Sequence, residues 1–158
     1  MSWYNGFSPN ERGKKLRKSY KVYPNRTHPC YRGPCQICGN PDCPVEPHTE
    51  DYAEPFLWEN PAEYAVCKTC HGRLHKRFNQ PFKWAAYLAH VRRGGFGADT
   101  KVGKIANEIR RLAEAYARGE SFNLPPLPRT KALTGQEWWE KLSLDPGSLT
   151  DPGARPQR

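Results

Sequence analysis

Cys67-Lys-Thr-Cys-His-Gly-Arg-Leu-His-Lys-Arg-Phe78 is the stretch that decides how this chain folds. Two cysteines with two residues between them run straight into a helix-compatible segment, in which His71 and His75 stand four apart and so share one helical face. Upstream, Cys35-Gln-Ile-Cys38-Gly39 repeats the spacing, and its glycine permits the turn such a knuckle needs. Each Cys-x-x-Cys pair can clamp one edge of a tetrahedron, and two pairs supply the four thiolates that zinc prefers. Cys35, Cys38, Cys67 and Cys70 are therefore expected to hold one structural Zn²⁺. The 28 residues between the pairs leave room for a hairpin-sized insertion.

The composition asks for such a staple. Only 37% of the 158 residues are hydrophobic, and 16 prolines and 13 glycines interrupt the chain, so a large apolar core is not expected and a metal would supply the missing folding energy. No stretch is apolar for long enough to be a secretory signal or a membrane span. The expected setting is a reducing cytoplasm, where cysteines bind metal rather than pair as disulfides. Cys30 and Cys43 remain open between a second site shared with His48 or His71 and free thiols packed as small hydrophobes.

Working outward, residues 1–29 form a basic arm with a short helix expected over Glu11–Tyr20, capped by Ser8 or Asn10, and a tendency to order on a partner. Residues 30–122 form the zinc domain. In it, extended pieces near Val45 and Tyr64–Val66 can pair as a hairpin, and the prolines at 41, 44, 47, 55 and 61 exclude longer elements. A helix is predicted over Phe82–Arg93, with Trp84, Leu88 and Val91 as its buried stripe, and another over Lys101–Arg118, with Val102, Ile105, Ile109, Leu112 and Tyr116 as its seam. Residues 123–158 read as a proline-rich linker, a short helix within GQEWWEKLSLDP and a disordered tail. The fold class is α+β: a small zinc-knuckle/ββα core with additional helices and flexible ends.

The net charge of +9 is unevenly spread. Residues 1–33 carry eight Lys/Arg against one Glu, residues 34–66 seven Asp/Glu and no Lys/Arg, and residues 67–111 eleven basic against two acidic side chains. Two basic stretches flanking an acidic loop suit a polyanion partner, because neutralising phosphate dominates nucleic-acid affinity. Lys14, Lys15, Arg17 and Lys18 on the arm, with Arg73, Lys76, Arg77, Lys83, Arg92 and Arg93 beyond the knuckle, are the candidate phosphate contacts. Solvated helix faces are the plainer alternative.

Cys35-x-x-Cys38-Gly, then Pro47-His-Thr-Glu-Asp-Tyr-Ala-Glu-Pro55, then Cys67-x-x-Cys70-His71 and Leu74-His75 together resemble small HNH-like, treble-clef zinc proteins of phages and bacteria. The resemblance covers about residues 34–78. It implies a ββα-metal site beside a tetracysteine zinc, with His48, Asp51, His71 and His75 as the candidate catalytic set and Mg²⁺ or Mn²⁺ as the catalytic ion. It also favours DNA over RNA. The sequence departs from the family where a second histidine, the usual general base, would follow the first: Thr49 stands there. The middle asparagine would fall near Ala62, with Asn60 offset by two. A register shift that makes His48 the base, with Asp51 or Glu50 on the metal, is one reading. A hydrogen-bonded clasp of His48, Asp51 and Tyr52 against the His71/His75 helix is another, and a place for His48 and His71 beside the zinc a third.

Three functions follow as expectations: a zinc-stabilised nucleic-acid-binding protein, a metal-dependent HNH-type endonuclease, and an adaptor that engages a protein partner through Trp138 and Trp139.

Overall fold

The computed structural model describes residues 3–59, 62–122, 124–127 and 137–144. Residues 1–2, 60–61, 123, 128–136 and 145–158 lie outside the described residues, as do the expectations placed on Asn60, on part of the proline-rich linker and on the tail.

The architecture is α+β, built on one antiparallel hairpin that runs into a helix. Strand β1 (Val45–Thr49) pairs with β2 (Glu63–Cys67) in a register that sets Val45 opposite Cys67 and His48 opposite Tyr64. Pro47 is tolerated because each strand of a two-stranded sheet has an open edge. Helix α2 (Lys68–His75) starts directly after β2, and the Cys67 sulfur accepts the Cys70 backbone N–H at the first turn. The first knuckle is sewn to the hairpin by Gln36, whose N–H donates to the Ala65 carbonyl while its side-chain oxygen accepts from the Ala65 N–H. Gly39, at φ 69°, makes the left-handed turn that closes this knuckle.

Helix α1 (Pro9–Val22) opens with a full capping box: Ser8 accepts from the Glu11 N–H, and Glu11 accepts from the Ser8 N–H at 2.8 Å. The expected helix is thus present and capped by Ser8. The arm that carries it is packed onto the domain, which corrects the picture of a segment awaiting a partner. Tyr4 and Phe7 bracket a tight turn through Asn5 and Gly6, both at positive φ, and bury their rings against the hairpin.

Helix α3 (Pro81–Arg92) buries Trp84, Leu88 and Val91 as its stripe predicts, and stops at Gly94, φ 99°. Helix α4 (Gly103–Ala117) packs against it through Ile109 and Leu112. The predicted seam extends one position too far, since Val102 precedes the helix and is exposed. A separate 3₁₀ turn, Gly97–Lys101, comes first, with Asp99 accepting the Phe96 N–H. Beyond it, the WW segment forms a single 3₁₀ turn, Trp138–Glu140, rather than the expected two-turn helix. Trp139 is buried in the core, and Trp138 stacks on Tyr64 with ring centroids 3.6 Å apart. Both tryptophans are anchors for the chain's own domain. No helix among the described residues is long and apolar enough to cross a membrane.

Candidate metal centres

Cys35, Cys38, Cys67 and Cys70 come together as the spacing predicts: all four are buried, with their sulfurs within 4.8 Å of one another. Without a cation the four thiols disagree about their protons. Hydrogen bonds from its neighbours push Cys35 far down, while Cys70 is pushed far up by the other three sulfurs and by burial. A shared cation removes that conflict by taking four thiolates at once. Backbone N–H groups of Cys67 and Cys70 already point at sulfur, from 3.2 and 3.5 Å, as they do around a bound metal. The donor set fits a structural metal site. Cys30 and Cys43 stand outside it: Cys30 is buried with its thiol pushed up to about 11 by burial, and Cys43 donates to the Asn40 carbonyl.

A second cluster includes His71, the residue after Cys70 on α2. Alternation along β1 turns Glu46 and His48 to the same side, with Glu50 just beyond the strand end. On α2, His71 and His75 share the facing side. One nitrogen from each of His48, His71 and His75 lies within 4.8 Å of the other two, and Nε2 of His71 is 2.9 Å from Nε2 of His75. Two of the rings are held by carboxylates. Glu46 accepts from Nδ1 of His71 at 2.6 Å, and Glu50 accepts from Nε2 of His48 at 2.6 Å. A carboxylate on one imidazole nitrogen leaves the other nitrogen with a lone pair, the arrangement that supports a metal-binding histidine. His48 Nδ1 is buried without a hydrogen-bond partner among the described residues.

Two of the rings, His48 and His75, are biased toward the neutral form. Burial lowers His48, with Glu50 opposing; burial, followed by the charges of His48 and His71, brings His75 down to about 3. Neutral imidazole is the form that binds metal. Glu50 is held below the usual carboxylate range: burial works to raise it, but the His48 hydrogen bond and the charges of His48 and Arg77 outweigh that effect. Its oxygens also accept from the Tyr4 hydroxyl, from Asn5 Nδ2 at 3.0 Å and from Arg77 at 2.8 Å.

The structure redistributes the other expected site residues. Asp51 is not in the histidine cluster; its carboxylate accepts the Ala53 N–H, so Glu50 is the acid beside His48. Thr49 faces the opposite side of the hairpin, where its hydroxyl meets Lys15 and the carbonyls of Asp51 and Ala62. Lys15 and Arg77, expected on a phosphate-binding surface, are buried instead. Lys15 pairs with Glu63 at 2.9 Å and Arg77 with Glu50, because a buried charge needs a partner. Arg92 and Arg93 are paired with Glu140 and Glu108, and Arg73 lies 5.1 Å from the Tyr87 ring centre. Lys14, Arg17, Lys18, Lys76 and Lys83 are exposed. Sequence reasoning missed Glu46, and the only signal for it was its alternation with His48 along a proline-interrupted strand.

Comparison with protein-family models, with curated proteins and with solved structures found no match to this chain.

Proposed function

We propose that this chain acts on nucleic acid as an HNH-like, metal-dependent phosphodiesterase, with a zinc ion at the four cysteines fixing a treble-clef core and DNA as the favoured substrate. The observation that carries the reading is the convergence of His48 from a strand with His71 and His75 from the helix that follows it. Three imidazole nitrogens on a hairpin and the helix that follows it would hold a catalytic transition-metal ion more readily than Mg²⁺, which prefers oxygen ligands, whereas a purely structural clasp does not call for three imidazoles with two carboxylates behind them. When bound, such an ion stabilises negative charge on the scissile phosphate and its leaving oxygen. The chain's own part is to bring one nitrogen from each of three histidines within 4.8 Å of the others, to fix two ring orientations through Glu46 and Glu50, and to draw polyanion toward the exposed Lys14, Arg17 and Lys18.

One observation favours a second reading, in which the protein binds nucleic acid without cutting it. Thr49 stands where the HNH-like resemblance expects the general base, its hydroxyl is turned to Lys15 on the other side of the hairpin and cannot accept a proton at neutral pH, and loss of such a base costs about 10²–10⁴ in rate. The two readings separate in a plasmid-nicking assay with added Mn²⁺ or Mg²⁺. Nicking that His75→Ala abolishes supports the phosphodiesterase. A gel shift with no nicking in either metal supports the binder.

A further inference from the structure

A cavity of about 320 Å³ lies between α1 and the edge of β1, and it opens onto His48, His71 and His75. Its walls are unusual for a site that meets a duplex. Four tyrosines line it, Tyr20, Tyr23, Tyr31 and Tyr52, together with the guanidinium groups of Arg12 and Arg26. Tyr20 leaves 64% of its surface to solvent on the side of α1 that faces the cavity, where its ring supplies no core packing. Arg26 sits over the Tyr31 ring at 4.3 Å, and Arg12 lies 5.3 Å from the Tyr52 ring centre. Around the helix, Lys14, Arg17, Lys18 and Lys21 follow one another at helical spacing along a second groove.

Aromatic faces and guanidinium planes are stacking platforms, and a base can use them only once it has left its own stack. A paired duplex keeps its bases stacked inside and offers such walls nothing but backbone. The volume is at the small end of the range for ligand cavities, in keeping with a single nucleotide unit rather than a duplex. We infer that the cleft between α1 and β1 receives an unpaired nucleic-acid strand, with a base against the tyrosine wall and its backbone led along α1 toward the three histidines. The inference rests on the reading of those histidines as a site that acts on nucleic acid, and it names the form of the substrate.

The test measures binding alone, so it is independent of cleavage. The purified full chain, with no divalent metal added, is titrated at about 50 mM salt into dye-labelled 12-nucleotide single-stranded DNA, single-stranded RNA and duplex DNA, and anisotropy is followed. At least one single strand is expected to bind about tenfold or more tightly than duplex. Tyr20→Ala is expected to weaken that binding at least about fivefold, while Tyr20→Phe, which keeps the ring, leaves it intact. Tyr20 is exposed, so the variant is expected to fold, and an unchanged circular dichroism spectrum checks this. Duplex bound as tightly as either single strand, or single-strand affinity unmoved by Tyr20→Ala, overturns the inference. A chain that prefers single strands yet never cleaves in Mn²⁺ or Mg²⁺ upholds this inference and removes the phosphodiesterase.

Discussion

Glu50 lies 2.6 Å from Nε2 of His48 and, through its other carboxylate oxygen, 2.8 Å from the buried guanidinium of Arg77. One carboxylate therefore orients a candidate metal ligand and neutralises a cation that has no access to water. Tyr4 ties the N-terminal segment into the same group, accepting from Arg77 at 2.6 Å while donating to Glu50. The arm, the hairpin and α2 meet at a single acid.

Replacing that acid should have two separable effects. Glu50→Gln keeps the shape but removes the charge opposite Arg77, and breaking a buried pair on one side costs about 3–5 kcal/mol. It also frees the His48 ring, and loss of such a supporting group typically weakens metal binding about 10–100-fold. Thermal denaturation and calorimetric Mn²⁺ titration of the folded variant should show both losses. An unchanged Mn²⁺ affinity would remove Glu50 from the metal centre and leave it a purely structural role.

The C-terminal tryptophans should contribute stability rather than recruit a partner. Trp139 is 1% exposed, and its truncation to alanine is expected to cost about 3–5 kcal/mol. Trp138 is half-buried and stacked on Tyr64, so Trp138→Ala should cost less, on the order of 1 kcal/mol. Denaturant titrations of the two variants check the order. A Trp139→Ala chain as stable as the parent would mean that the WW segment is not docked in solution.

Acid should loosen the fold well before the carboxylates titrate. His90 is buried with Nε2 3.3 Å from both the Phe96 carbonyl and Asp99; burial lowers it below its ordinary 6.5, the carbonyl and Asp99 oppose that, and Arg93 adds to it. His28 is lowered too, by burial first and then by Lys15, with the Trp58 backbone opposing. For both, the unfolded chain takes up a proton near pH 6.5 while the folded chain does not, so the unfolded state binds more protons there and stability falls as pH drops below about 6.5. Melting temperature should decline from pH 7.5 to pH 5.5, and His90→Asn should flatten the decline. A slope that His90→Asn leaves unaltered would show that His90 takes its proton as readily folded as unfolded.

Much of this arrangement is legible from spacing alone. The two Cys-x-x-Cys pairs, the i, i+4 histidines and the Trp84/Leu88/Val91 stripe each encode a local geometry that burial then enforces. What spacing does not encode is which charges turn inward. Lys15 and Arg77 are indistinguishable in sequence from the surface cations beside them, and only tertiary packing brings Glu63 and Glu50 to them. Glu50 and Asp51 differ by one position just past the end of β1, where Glu50 meets His48 and Asp51 turns to the Ala53 N–H. The end of the hairpin therefore chose Glu50, where a motif reading offered both.

The central claim is that two metal centres of different chemistry lie side by side, one of sulfur and one of imidazole nitrogen. Cobalt substitution of the full chain, followed by absorption spectroscopy and metal counting, tests it most directly. The account predicts two ions per chain, a tetrathiolate spectrum from one of them, and a fall to one ion in His75→Ala with the thiolate spectrum unchanged. One ion per chain in the parent, undiminished by His75→Ala, would contradict it.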